Sequence, residues 1–264
     1  MRITVLGKSP AWADAGGACS GYLIEDGPLR LLLDCGSGVF GKLRRFADYV
    51  DVDAVAISHL HADHFLDLVP YASALTYAPR QQPVPVPPFP GTDHPARPAL
   101  HAPAGARDAF AQVCAGSGMR AEHIEEAFGL REYAASETLE IGPMRLRFCP
   151  VPHFVPTNAV EVRCSAGRRL TFSADSAPSD ALVDFARETD LLLIEATLPR
   201  PERAGPRGHL TPQEAGDHGR RAGARRLVLT HLSDELDAEW ARAEAASAFG
   251  GEVEVAVEGA VYEV

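Results

Sequence analysis

Residues Ser58-His59-Leu60-His61-Ala62-Asp63-His64 constrain this chain more than any other stretch. Three imidazoles and one carboxylate fall within six positions, directly after the apolar run 53–57, which reads as a buried strand. Imidazole nitrogen and carboxylate oxygen are donors that suit Zn²⁺, Mn²⁺ or Fe. On an extended segment His59 and His61 project to the same side, because side chains alternate along a strand. Asp63 and His64 sit beyond the following turn, so one ion can take the first pair and a second ion the other. Only ten histidines occur in 264 residues, which makes a chance grouping of surface histidines the weaker reading.

Composition sets the frame. Apolar residues make up 46% and charged residues 23%, which excludes disorder, collagen and coiled coil. Lys and Arg total 25 against 36 for Asp and Glu, a formal charge of −11. That balance disfavours non-specific binding to nucleic acid or anionic membranes, which draws on clusters of Lys and Arg. An anionic substrate stays open, because a bound metal reverses the local field. Cys19, Cys35, Cys114, Cys149 and Cys164 form no C-x-x-C pair and read as reduced thiols. The first residues look like a strand rather than a secretory signal, and no apolar window is long enough to span a membrane. A soluble, cytoplasmic protein is expected.

Short apolar runs at 2–6, 21–25 and 29–34, broken by turn residues, suggest a strand meander. Helical spacing follows at 39–49, then at 107–114 and 122–127. The stretch 79–98 holds eight prolines in 20 residues and must be an extended loop. A strand is expected at 144–151 and a hairpin at 160–164 and 169–173. Beyond it helix and strand alternate: helix 179–187, strand 191–195, helix 212–222 with Thr211 as its N-cap, strand 227–230, helix 238–249 and strand 252–257. The class is α/β, with two layers of sheet flanked by helices. No repeat or linker divides the chain, so 1–264 reads as one domain.

The segment His59–His64 resembles the H-x-H-x-D-H motif of the metallo-β-lactamase superfamily. Further motifs follow in that family's order: Val151-Pro152-His153, Phe172-Ser173-Ala174-Asp175 and Val228-Leu229-Thr230-His231. The resemblance spans Arg2 to His231. It implies an αββα sandwich of two mixed sheets, with metals at the sheet edges. It also implies two divalent ions, Zn²⁺ first with Mn²⁺ or Fe as alternatives. His59, His61 and His153 are assigned to one ion, Asp63, His64 and His231 to the other, and Asp175 to both. Asp63 is given a catalytic role besides. Ala174 and Ser176 stand where the family commonly has Gly and Thr, and the run Phe154–Asn158 departs from the nuclease pattern.

Two more elements, Glu195-Ala196-Thr197 and His209-Leu210-Thr211, resemble those of the ribonuclease Z-like branch. There a histidine oriented by the glutamate acts at the leaving oxygen, which makes His209 the general acid and Glu195 its partner. A tRNA 3′ endonuclease of that branch typically carries a basic arm, in many members between the His153 and Asp175 motifs. Only 22 positions separate those residues here, without a Gly- or Lys/Arg-rich insertion. Arg44-Arg45, Arg168-Arg169, Arg220-Arg221 and Arg225-Arg226 read as solvated faces. A small phosphodiester therefore fits better than a polyanion. Ser20-Gly21-Tyr22-Leu23-Ile24-Glu25 and Leu31-Leu32-Leu33-Asp34-Cys35-Gly36 resemble compact bacterial members that hydrolyse cyclic nucleotides, such as the actinobacterial cyclic-AMP phosphodiesterases. A metal-bridging hydroxide is the expected nucleophile. The alternatives are a ribonuclease Z-like endonuclease and a carbonyl hydrolase, either lactonase or thioesterase. No membrane partner is expected, and a homodimer is left open. His94, His101, His123 and His218 read as solvated or capping residues, with His94 a weak candidate for substrate contact.

Overall fold

The first strands are apolar on both faces, so the sheet they build has to be covered twice. The computed structural model describes residues 1–264. In β1 (Arg2–Gly7), β2 (Gly21–Asp26) and β3 (Leu29–Leu33), Ile3, Val5, Ile24, Leu31 and Leu33 enter one core while Leu6, Leu23 and Leu32 enter another. The chain continues through α1 (Val39–Phe46), β4 (Ala54–Ala56), α2 (Ala62–Phe65), α3 (Leu68–Tyr77), β5 (Ala99–Pro103), α4 (Ala106–Gly116), α5 (His123–Ala127) and β6 (Gly129–Tyr133). These strands form a mixed sheet in the order β1-β2-β3-β4-β5-β6, parallel from β3 onward. Its outer strand β14 (Val261–Glu263) comes from the far end of the chain, with Tyr262 opposite Ile3.

The second sheet repeats the plan. β7 (Thr138–Ile141), β8 (Met144–Val151), β9 (Thr157–Arg163) and β10 (Arg169–Phe172) run antiparallel. α6 (Asp180–Phe185), β11 (Leu191–Glu195), α7 (Pro212–Ala222), β12 (Leu227–Thr230), α8 (Ala238–Phe249) and β13 (Val253–Val255) then alternate, and β10 to β13 pair in parallel. A core holding Tyr22, Leu33, Phe148, Phe172 and Leu193 lies between the sheets, while one helical layer covers each outer face. This is the αββα sandwich with two mixed sheets that the resemblance implies.

β11, α7, β12 and α8 fall on the expected boundaries, because their ends carry strong local signals. Thr211 and Glu214 close a capping box at α7 and Pro212 opens it, while Gly223 ends it in the left-handed conformation. Asp237 caps α8 and Gly250 ends it likewise. The helix expected at 39–49 stops at Phe46, and Tyr49–Asp51 is a separate 3-10 turn capped by Asp48. The proline-rich stretch 79–98 is irregular after a 3-10 turn at Pro79–Gln81. Gln81 ties it together, exchanging side-chain hydrogen bonds with the backbone of Ala96. All five cysteines are unpaired, and only Cys149 is partly exposed. No helix is long and apolar enough to cross a membrane.

α7 and α8 meet where Gly216 lies against backbone: a Cβ there falls 2.2 Å from the carbonyl oxygen of Ala245. Gly41 in α1 faces open space. Gly216→Ala is therefore expected to cost about 1–3 kcal/mol by forcing the helices apart. Gly41→Ala is expected to add ~0.5–1 kcal/mol by restricting the unfolded chain. Urea unfolding of both variants checks the opposite signs.

Candidate metal centre

Strand ends deliver the site. β4 runs into Ser58-His59-Leu60-His61, and His61 is the N-cap residue of α2, so the expected turn is one turn of helix that carries Asp63 and His64. His153 follows β8 and His231 follows β12. Asp175 follows β10 after Ala174, which takes a left-handed φ of 51°. That conformation explains why glycine is commoner at this position, and Ala174 holds it at the cost of strain. Asp34 and His231 share the left-handed region, with φ of 58° and 56°. Three of the four non-glycine residues with positive φ thus lie at this site. Beneath it, the Tyr22 hydroxyl meets Thr230 Oγ1 at 2.7 Å, joining β2 to β12 across the sheets.

The seven residues singled out in sequence converge into two overlapping groups. His59, His61, His153 and Asp175 bring one donor atom each within 4.8 Å of one another, and so do Asp63, His64, Asp175 and His231. Asp175 belongs to both. Its carboxylate lies 3.7 Å from Nε2 of both His59 and His153, 3.4 Å from His231 Nε2 and 3.3 Å from His64 Nε2. Asp63 Oδ2 is 3.4 Å from His64 Nε2 and 3.3 Å from His231 Nε2. His153 Nε2 and His61 Nδ1 face each other at 3.1 Å.

Hydrogen bonds on the far side of the rings set the tautomers. His64 donates Nδ1–H to Asp34 at 2.7 Å, and His153 donates Nδ1–H to the Gly208 carbonyl at 2.7 Å. The Ser58 hydroxyl gives its single proton to Asp34 and so accepts from His59 Nδ1. Likewise the Thr197 hydroxyl gives its proton to Glu195 and accepts from His231 Nδ1. With Nδ1 engaged in each, all four rings turn Nε2 toward Asp175. His59 Nε2, His64 Nε2 and Asp175 Oδ1 are buried with no hydrogen-bond partner, although His64 and Asp175 are close. Buried polar atoms are rarely left so, and imidazole nitrogens converging on a carboxylate are what a divalent cation needs. The donor set fits such ions.

Charge follows the same geometry. Burial pushes the pKa values of His59, His61 and His153 below the ordinary imidazole range, keeping them neutral. Burial also opposes charge on Asp175, but His231 and His64 beside it hold its pKa well below the usual carboxylate range. For Asp63, burial is likewise outweighed by His231 and His64 beside it, which hold its pKa below the usual carboxylate range.

Beside the cluster, Glu195 is fully buried and accepts His209 Nδ1–H at 3.0 Å. The His209 ring lies 4.9 Å from that of His153 and 5.6 Å from that of His231, and its Nε2 takes no protein partner. Burial works against charge on His209, but the hydrogen bond and charge of Glu195 prevail and lift its pKa to about 9. His94 joins neither group; it lines a separate cavity beside Arg80 and Phe89. His123 and His218 are buried rather than solvated, and His218 Nε2 accepts the backbone N–H of Ser179 at the start of α6. Sequence reasoning assigns no role to Asp34, Ser58, Thr197 or Gly208. Asp34 carried a signal, a lone carboxylate ending an apolar strand.

The family model described as a beta-lactamase superfamily domain matches residues 29–232. The probable metallo-hydrolase YhfI of Bacillus subtilis (strain 168) is 30% identical over 263 residues, spanning 100% of both chains. The crystal structure of YhfI superposes with a TM-score of 0.82 at 27% identity, covering 99% of each chain. Ribonuclease Z of Myxococcus xanthus (strain DK1622) is 29% identical over 300 aligned residues, covering 100% of this chain and 98% of its own.

Asp34 accepts from Ser58 N, Ser58 Oγ and His64 Nδ1, so it aims two rings at once. Asp34→Asn is expected to weaken divalent-ion affinity about 10–100-fold. Competition with a chromophoric chelator measures this, and unchanged affinity would show that Asp34 does not orient the donors.

Proposed function

The chain belongs to the beta-lactamase superfamily, and we propose that it is a metal-dependent phosphodiesterase acting on a small phosphodiester, a cyclic nucleotide such as cyclic AMP. The observation that carries this reading is the Glu195–His209 pair beside the histidine and aspartate cluster. His59, His61 and His153 would hold one divalent ion and Asp63, His64 and His231 a second, with Asp175 available to both. Such ions, Zn²⁺ in the first instance, supply Lewis acidity and neutralise phosphate oxygens. Asp63 would take the proton of the attacking water at a carboxylate oxygen. His209 donates a proton from Nε2 to the departing 3′ oxygen, while Glu195 Oε1 holds Nδ1–H and so fixes the ring. An alkoxide needs that proton; a thiolate or aryl oxide does not, which is why the pair favours an alkyl phosphodiester over a thioester.

Substrate size follows from the surroundings. The β9–β10 hairpin occupies the span between His153 and Asp175. Arg168 and Arg225 both pair with Asp190, Arg220 with Asp217 and Arg226 with Glu254, so these arginines are engaged on the protein itself. A compact anion entering the cluster is favoured over a long polyanion on the surface.

Turnover of cyclic AMP and bis(p-nitrophenyl) phosphate is expected to exceed that of a thioester; the reverse order would overturn the reading. His209→Ala is expected to lower turnover of cyclic AMP about 10²–10⁴-fold and of the aryl ester far less. Equal losses on both would remove the acid role. Asp175→Ala should reduce bound ions from two per chain to at most one by elemental analysis, and full occupancy would break the shared-ligand assignment.

A further inference from the structure

Phe154 stands at the mouth of the site with 53% of its surface exposed. Its ring centre lies 5.0 Å from that of His153 and 5.9 Å from that of His209, the latter at 67°. Gly208 backs it: a Cβ at that position falls 2.3 Å from the Phe154 ring. The ring therefore rests on bare backbone between a cluster histidine and the proton donor, and the rest of it is open. A single exposed apolar residue needs no explanation, but one seated in a glycine slot beside the reacting groups does.

We infer that Phe154 is the platform on which the substrate's nucleobase stacks. This rests on the phosphodiesterase reading, which puts the departing oxygen at His209. In a nucleoside 3′,5′-cyclic phosphate the base is attached only a few bonds from the 3′ oxygen, within reach of a ring adjoining His209. Stacking on an aromatic face recognises any base, because every base has a π-face and none of its hydrogen-bonding edge is read. The substrate class is therefore base-bearing cyclic phosphodiesters with little discrimination among bases.

The test compares cyclic AMP with its abasic analogue, 1-deoxyribose 3,5-cyclic phosphate, on the metal-loaded protein. Phe154→Ala is expected to raise KM for cyclic AMP about tenfold, equivalent to ~1.4 kcal/mol, with kcat little changed. Phe154→Trp should retain a low KM and Phe154→Leu should not, while KM for the abasic analogue stays nearly constant across all three. Equal KM changes for both substrates, or none for either, would overturn the platform. A second readout needs neither turnover nor metal. Emission from Phe154→Trp, beyond that of the wild type, is expected to be quenched by AMP and not by ribose 5-phosphate. Absence of AMP quenching counts against the platform. A wild-type protein that hydrolyses no phosphodiester overturns the function reading instead.

Discussion

Asp175 is a carboxylate buried in the seam between the sheets with the Nε2 atoms of four imidazoles 3.3–3.7 Å from it, and a buried carboxylate of this kind needs partners. Removing an unpaired carboxylate from water costs several kcal/mol, on the order of what a small domain has to spare. The site therefore depends on a dense set of compensating partners, each aimed by a second hydrogen bond. Ser58, Asp34, Gly208 and Thr197 supply those bonds from four different parts of the chain. Left-handed backbone at Asp34, Ala174 and His231 marks where strand ends are bent to bring the groups together. The strain is concentrated where the donors meet.

The fold explains how such bends are afforded. Each sheet joins an antiparallel half to a parallel half, and the parallel strands release their C-terminal ends toward the seam. Both faces of each sheet are covered, so the strands can be almost wholly apolar and rigid up to their last residue. β11 is buried along its whole length, Leu191 to Glu195, and ends on the carboxylate that accepts His209 Nδ1–H. Precise side-chain placement then follows from a stiff frame rather than from flexible loops.

Much of this is legible in sequence, for physical reasons that differ by element. His59 to His64 stand out because the donors are contiguous. His153, Asp175 and His231 are found through the resemblance, each following an apolar run where the family's order expects a ligand. The βα units of the second half carry caps and stop signals at nearly every boundary. By contrast, α3 contains Pro70 and is apolar around much of its surface, so it lacks a clean amphipathic stripe. β5 is hidden behind the proline-rich stretch, and β6 alternates weakly and is largely exposed. β14 is a three-residue edge strand whose only reason to form is the waiting edge of β1. Asp34 and Gly208 act on histidines 30 and 55 residues away, and no local pattern encodes such a partnership.

Glu195 shows why the acid pair and the donor cluster have to be considered together. Oε1 accepts His209 Nδ1–H and the backbone N–H of Ser176, which follows Asp175 directly. Oε2 accepts from the Thr197 hydroxyl, which in turn receives His231 Nδ1–H, and from the backbone N–H of Leu210. One buried carboxylate thus positions the proposed acid, steadies the loop after the shared aspartate and fixes the tautomer of a cluster histidine. Its charge is stabilised by several donors at once, so it is not dedicated to His209 alone. A proton lost from His209, which sits on Oε1, therefore changes the field on a carboxylate whose other oxygen is tied through Thr197 to His231. The same network that positions the leaving-group proton is continuous with the network that holds the donors, which couples the two halves of the proposed chemistry through a single side chain.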